Sequence, residues 1–127
     1  MAKKQKKMFN QFKGRTISNI QGMTKDSDEI LISFEEGGSI MFHHEQDCCE
    51  SVLVEQVDGL VDRHIGAKFM HIIEKTSEND PNLNNIDYDS VTWTFYTMKT
   101  SKGYIDFRWV GESNGYYSES VDYFTKE

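Results

Sequence analysis

One polar run holds most of the residue types in this sequence that ligate metals or move protons: His43-His44-Glu45-Gln46-Asp47-Cys48-Cys49-Glu50. Zinc needs three or four such ligands. Successive strand residues point to opposite faces, so His44 with Cys48 or Cys49 across the turn is the better local pair. No CxxC or HxxxH spacing supplies further ligands. No metal or other cofactor is predicted, and a small metal- or cysteine-dependent enzyme centred on residues 44–50 remains an alternative.

A second run, residues 108–120, alternates hydroxyls, an amide, aromatic rings and charges. Tyrosine and arginine are favoured binding anchors, while serine, asparagine and glycine supply adaptable hydrogen bonds. The chain has no phosphate-binding loop, nucleophile elbow or dinucleotide fingerprint, so no catalytic residue is predicted and the enzyme reading is disfavoured. The predicted binding residues are His44, Asp47, Cys48, Cys49, Glu50, Arg108, Asn114, Tyr116, Tyr117, Ser118 and Glu119.

These two runs are predicted to meet in the folded chain. The carboxylates Asp47, Glu50 and Glu119 need donors, and residues 116–118 with nearby backbone N–H groups can provide them. The turn at 47–50 is therefore expected to pack against residues 116–120 in a partly enclosed polar patch. A fully paired network would make the patch a scaffold, whereas spare outward-facing groups would indicate binding.

Together the runs carry a family resemblance. Residues 44–52 (His-Glu-Gln-Asp-Cys-Cys-Glu-Ser-Val) and residues 113–121 (Ser-Asn-Gly-Tyr-Tyr-Ser-Glu-Ser-Val) resemble an uncharacterised domain family common in bacteriophages and prophages. The similarity extends from about Gly14 to Tyr123. The family brings no established activity, so the resemblance implies a phage or prophage setting rather than a mechanism.

The elements that must position these runs are mostly short strands. Apolar residues alternate with polar ones around glycine turns, and no strand–helix–strand alternation is seen, which predicts a mostly β (α+β) domain. We expect an antiparallel curled sheet or partial barrel of about seven or eight short strands with one short helix. The predicted strands are 15–20, 29–35, 39–44, 51–57, 68–75, 91–100, 104–110 and 116–124, the helix is 58–65, and a polar surface loop spans 76–90.

The same alternation predicts the core. One face of each hairpin strand carries the large apolar side chains, although alternation alone does not say which face is inward, so Leu31 and Met41 could share this role. The residues expected to be mostly buried are Ile30, Ile32, Phe34, Ile40, Phe42, Trp93, Phe95, Ile105, Phe107 and Trp109.

Charge divides the chain into two regions. Residues 1–15 carry six positive and no negative side chains, while the rest carries eight positive and 21 negative, a net charge of −13. We expect a basic flexible tail at 1–13, which Phe9 and Phe12 could anchor, and a single β-rich domain at 14–127. The acidic body disfavours nucleic acid, except through the tail, and favours basic protein surfaces.

Compartment and function follow from these patterns as expectations. Adjacent Cys48 and Cys49 are expected to stay unbridged, which fits a reducing compartment, and neither a membrane span nor a secretory signal is predicted. The chain is thus expected in the cytoplasm, of the host cell if it is phage-encoded. We expect a non-enzymatic binding protein that inhibits or sequesters a host or defence protein, with a small-molecule ligand or a structural, accessory phage role as alternatives.

Overall fold

The computed structural model describes residues 2–5, 7–77, 90–114 and 117–127. Its strands are β1 (Ala2–Gln5), β2 (Ile17–Gln21), β3 (Glu29–Phe34), β4 (Ser39–His43), β5 (Ser51–Asp58), β6 (Phe69–Ser77), β7 (Ser90–Thr100), β8 (Gly103–Ser113) and β9 (Asp122–Lys126). Two short 3₁₀ helices span Lys7–Phe12 and Val61–His64. In the described part of the chain, no helix is long and apolar enough to cross a membrane.

The strands form two antiparallel sheets. The first has the order β1-β6-β7-β8-β5 and the second β2-β3-β4-β9. The prediction of an antiparallel, mostly β fold is confirmed. The strands are divided between two separate sheets, which do not close into a barrel. The predicted helix at 58–65 shrinks to one 3₁₀ turn, because Gly59 at a φ of 133° and the extended Leu60 and Ile65 confine the helical backbone to Val61–His64. His64 is buried, with its Nδ1 2.7 Å from the Thr100 hydroxyl oxygen.

The hairpin of β3 and β4 depends on two glycines. Gly37 and Gly38 adopt φ values of 104° and 90°, a region that side chains with a Cβ disfavour. A Cβ on Gly38 would also lie 2.6 Å from the Phe12 ring and 2.9 Å from the Lys126 carbonyl oxygen. The turn therefore fixes the β3–β4 register, from Glu29 opposite His43 to Ser33 opposite Ser39.

The hydrophobic core of the described residues contains side chains from both sheets. The predicted core residues of β3, β4 and β8 are buried, but Trp93 and Phe95 are only partly buried, so that part of the prediction is wrong. β7 is apolar on both faces, and the sheet turns its even-numbered residues, including Tyr96 and Met98, inward.

The N-terminal region contacts the domain. β1 pairs with β6 from Ala2 opposite Thr76 to Gln5 opposite Ile73, and Phe9 and Phe12 are buried, as expected of anchors. The packed domain therefore begins before residue 14, because the two rings belong to the core. The mobility of the residues before Phe9 stays a prediction.

Two predicted boundaries near the ends of strands shift. β6 and β7 extend over residues 76–77 and 90 into the predicted polar loop, whose centre, 78–89, lies outside the described residues. The closing strand begins at Asp122 rather than at residue 116. The segment 117–121 instead lies over β8, where a Cβ on Gly111 would be 2.5 Å from the Glu119 carbonyl oxygen.

Candidate functional site

Glu50 organises the turn that follows β4. The residue is 4% exposed, and its carboxylate accepts hydrogen bonds from His44 Nε2 at 2.7 Å and from the N–H groups of Asp47 and Cys48, each at 2.9 Å. The hydrogen bond from His44 is the main cause that lowers the Glu50 pKa to about 2. Glu50 is thus an ionised, buried acceptor around which residues 44–50 fold.

His44 links this turn to the segment before β9. Its Nδ1 lies 2.8 Å from the Ser120 carbonyl oxygen, while Nε2 faces Glu50. Burial by itself lowers the His44 pKa, but the hydrogen bonds to Glu50 and Ser120 and the charge of Asp122 outweigh it and raise the pKa. Both partners are acceptors, so the doubly protonated ring is the form that satisfies both.

Glu119 is the corresponding buried acid of the second run. It is 7% exposed and accepts hydrogen bonds from the Thr92 hydroxyl at 2.7 Å and from the Ser113 hydroxyl. These contacts join the segment 117–121 to β7 and β8. The segment can approach so closely because residue 111 is glycine.

The two runs therefore meet, mainly through residues at their margins. His44 contacts Ser120, and the Glu45 N–H donates to Asp122 Oδ2 at 2.9 Å. Asp47 and Cys48 use their N–H groups on Glu50, within their own turn. Whether these residues bind a ligand stays a prediction.

An open cleft of about 740 Å³ lies where the two runs meet. It is bordered by the turn after β4, strands β6 and β7, and the chain from residue 118 to 124. Four of its lining residues carry carboxylates, and none of its described lining residues is lysine or arginine. The lining is Glu45, Glu74, Thr76, Thr92, Thr94, Ser118, Glu119, Ser120, Val121, Asp122, Tyr123 and Phe124.

The other predicted binding residues are dispersed. Ser118 lines the cleft, with its hydroxyl 2.8 Å from that of Ser120, and the Tyr117 carbonyl accepts from the Ser113 hydroxyl at 3.4 Å. Asn114 is exposed at the end of β8. Tyr116 lies outside the described residues.

Arg108 points away from the cleft. It lies on the outer face of β8, where its guanidinium donates to Glu55 and to the Gln56 side-chain oxygen, the latter at 2.6 Å. The same group lies 5.5 Å from the centre of the Trp93 ring. The structure therefore separates Arg108 from the remaining predicted binding residues.

The cysteine prediction is wrong in this structure, which joins Cys48 and Cys49 by a disulfide. The turn is tight here because Glu50 holds the N–H groups of Asp47 and Cys48 on one carboxylate. Cys48 and Cys49 are thus not the two free thiols expected of a reducing compartment, and the cytoplasmic location stays a prediction. Within the described residues, no group of three histidine, cysteine or acidic side chains could hold a metal ion.

Sequence reasoning missed the cleft residues of the central strands. Glu74 has the same strand parity as the buried Ile72, and its carboxylate accepts the Tyr96 hydroxyl at 2.7 Å. Burial is the main cause that raises the Tyr96 pKa, which keeps this hydroxyl protonated. Acidic and hydroxyl residues at inward positions, such as Glu74 and Thr92, are the signal that could have indicated a polar cleft.

Comparison with known proteins identifies the family. A family model described as a domain of unknown function (DUF7448) matches residues 10–123, and the chain belongs to that family. No curated protein and no solved structure matches the chain.

Proposed function

We propose that this protein is a non-enzymatic binding protein whose acidic cleft receives a positively charged group of a partner protein. The observation that carries the proposal is the cleft itself, with its volume of about 740 Å³. That volume lies within the range of roughly 300–1,000 Å³ typical of binding pockets. The cleft admits a side chain and its neighbours rather than a flat contact alone.

The lining favours a cation with an apolar stem. Glu45, Glu74, Glu119 and Asp122 contribute negative charge, and Tyr123 and Phe124 contribute aromatic surface. Arginine and lysine combine a charged head with an aliphatic stem, and aromatic faces attract both. An arginine or lysine side chain on a basic protein surface is therefore the group that this cleft fits best.

The charge of the acidic body, which excludes the basic N-terminal region, supports the same partner. Residues 16–127 carry a net charge of −13, and such a field speeds the encounter with a basic surface. Since the chain resembles a family of phages and prophages, we infer a phage or prophage origin and a host or defence protein in the host cytoplasm as the target. Inhibition or sequestration of that protein is the proposed role.

The polar run at 44–50 is arranged more as scaffold than as catalyst. Both ring nitrogens of His44 and the carboxylate of Glu50 are engaged with each other or with the backbone. A general base must reach the proton that it abstracts, and these groups already face internal partners. This arrangement favours the binding proposal over the enzyme alternative.

Isothermal titration calorimetry with a blocked hexa-arginine peptide measures binding to the cleft and tests the proposal. The double variant Glu45→Gln/Asp122→Asn keeps the shape of the cleft and removes two charges. We expect it to weaken binding about tenfold, since each exposed charge contact contributes up to roughly 1 kcal/mol.

The matched control is Glu35→Gln/Asp62→Asn, which removes two exposed charges outside the cleft lining. It should leave the peptide affinity within about twofold of the unmodified protein, because distant charges are screened by salt. Equal weakening in both double variants would reduce the effect to net charge and overturn the proposed site.

A further inference from the structure

We propose that His44 is a pH-sensitive clasp that holds the Ser118–Asp122 wall of the cleft in place only while its imidazole ring is doubly protonated. The clasp would regulate the same cleft, and in this respect it rests on the proposed function. Its structural half, the position of the wall, is testable without any ligand.

The geometry around the ring requires two donors. The side chains of His44 and Glu50 are 3% and 0% exposed, so water does not readily replace a lost partner. The Ser120 carbonyl, 2.8 Å from Nδ1, can only accept. Glu50 Oε2, 2.7 Å from Nε2, also accepts, because the carboxylate collects N–H groups from its own turn and is ionised. Only the imidazolium ring donates to both.

Loss of one proton breaks a particular link. A neutral imidazole keeps one N–H group, and a hydrogen bond to an ionised carboxylate is stronger than one to a neutral carbonyl. The remaining proton therefore stays on Nε2 beside Glu50, while the Nδ1 proton leaves to solvent. The Nδ1 lone pair then faces the Ser120 carbonyl oxygen, and two acceptors 2.8 Å apart repel each other.

The affected carbonyl belongs to the cleft wall. Ser120 lies between Glu119 and Asp122, and all three line the cleft with Ser118. The other links on this wall include the hydrogen bonds of Glu119 with β7 and β8, the core packing of Val121, the N–H of Glu45 on Asp122, and the strand pairing of Asp122 with His43. The wall thus stays attached on both sides of Ser120 when the clasp opens, and the contact that is lost is the one at the Ser120 carbonyl.

The charges around the ring all favour the protonated form. Glu50 faces it from its own turn and Asp122 from β9. Asp28 and Glu29, at the start of β3, share a shallow pocket with His43, His44 and Glu50. Glu45 follows in the turn and pairs with His43.

The sign of the pH dependence follows from the raised pKa of His44. Its stabilising contacts are fully present below the pKa of a free histidine, about 6.5, and are lost as the pH rises through the higher value in the folded protein. The cleft wall is therefore held at mildly acidic pH and released on the alkaline side of that value.

Nuclear magnetic resonance titration of the full chain tests the clasp directly. Side-chain ¹⁵N shifts should show both His44 nitrogens protonated at pH 6, with a midpoint above about 6.5. The amide signals of residues 118–122 should shift with that same midpoint. The Glu50→Gln variant should lower the midpoint, and His44→Gln should remove the transition from these amides.

His43→Gln is the matched control, because His43 is the neighbouring histidine and its imidazole pairs with Glu45 rather than with Ser120. It should leave the transition at residues 118–122 unchanged. The clasp would be overturned if only one His44 ring nitrogen were protonated at pH 6, or if the amide signals of residues 118–122 did not shift as His44 titrates. If His44→Gln fails to fold, the titration of Glu50→Gln and of the unmodified protein decides the matter.

Hexa-arginine binding between pH 6 and 9 connects the clasp to the proposed function. The peptide stays charged over this range, so affinity should fall several-fold across the His44 midpoint in the unmodified protein and in His43→Gln. Binding without that pH step overturns the regulation and leaves the cleft proposal standing. A titrating wall with no peptide binding refutes the proposed function and leaves the structural clasp intact.

Discussion

The buried pair of His44 and Glu50 is a fold-forming contact at the scale of single residues. Glu50 is inaccessible to water as a side chain and collects hydrogen bonds from three consecutive positions of its turn and from His44. A buried acid is tolerated when donors surround its charged form. The polar run is therefore unusual in composition because the turn needs an anchored acid and a cationic partner for it.

Glu50 predicts an acid-sensitive component of stability. Its folded pKa of about 2 lies below the ordinary value of the carboxyl group, so its contribution is complete above about pH 4.3 and is lost as the pH falls toward 2. Thermal unfolding between pH 2 and 6 should show that Glu50→Gln lowers Tm most near pH 5 and least near pH 2.

The exposed Glu35 provides the comparison. Glu35→Gln should give a Tm curve parallel to that of the unmodified protein, because its carboxylate is not buried. A Glu50→Gln curve that is also parallel to that of the unmodified protein would show that the contribution of Glu50 to stability does not depend on its charge.

At the scale of elements, the most informative contact is the crossing of segment 117–121 over β8. Gly111 is buried, and Glu119 packs directly on it. The segment thereby brings Ser118, Ser120 and Asp122 to the cleft instead of continuing as a strand.

Replacement of Gly111 by alanine should therefore destabilise the protein. Alanine in a strand usually gains roughly 0.5–1 kcal/mol over glycine, but here its Cβ would lie 2.5 Å from the Glu119 carbonyl oxygen. Such overpacking costs about 1–3 kcal/mol. Urea unfolding should show the loss, and the amide signals of residues 118–120 should shift most. An unchanged or higher free energy of unfolding would contradict the close packing.

The strands near glycine turns were predictable, and the crossing segment was not. The β3–β4 hairpin follows from local alternation and two glycines, both of which act over neighbouring residues. The face of β7 that points inward is the one that meets the other sheet. Because β7 carries apolar residues on both faces, its sequence does not indicate which face that is. Residues 117–121 read as a strand, because the hydroxyl groups that donate to Glu119 belong to Thr92 on β7 and Ser113 on β8, outside the segment.

The same limit applies to the candidate site. The two polar runs predicted that the turn at 47–50 would pack against residues 116–120, whereas the contact that the structure shows between the runs is that of His44 with Ser120. Glu74 and Thr92 come from strands that pass beneath the patch, and only the pairing of β6 and β7 brings them there. Arg108 was grouped with the site by its place in the sequence, but strand parity directs it to the opposite face.

The whole molecule combines a basic N-terminal region with an acidic body. By pairing with β6, β1 forms one edge of the first sheet. The core, in contrast, receives Phe9 and Phe12 from the adjoining 3₁₀ helix. Packing thus divides the basic region at about residue 8.

That division predicts a small loss of stability for one change in this region and a large loss for another. Deletion of residues 1–7 removes one edge strand and leaves both phenylalanines, so the free energy of unfolding should change by less than about 1 kcal/mol. Phe12→Ala removes a ring that is fully buried and stacks on Phe34 with centroids 4.9 Å apart, which should cost about 3–5 kcal/mol. Urea unfolding of both proteins at 0.15 M salt measures the difference. If the deletion cost as much free energy of unfolding as Phe12→Ala, the first sheet would require β1 at its edge in order to remain folded.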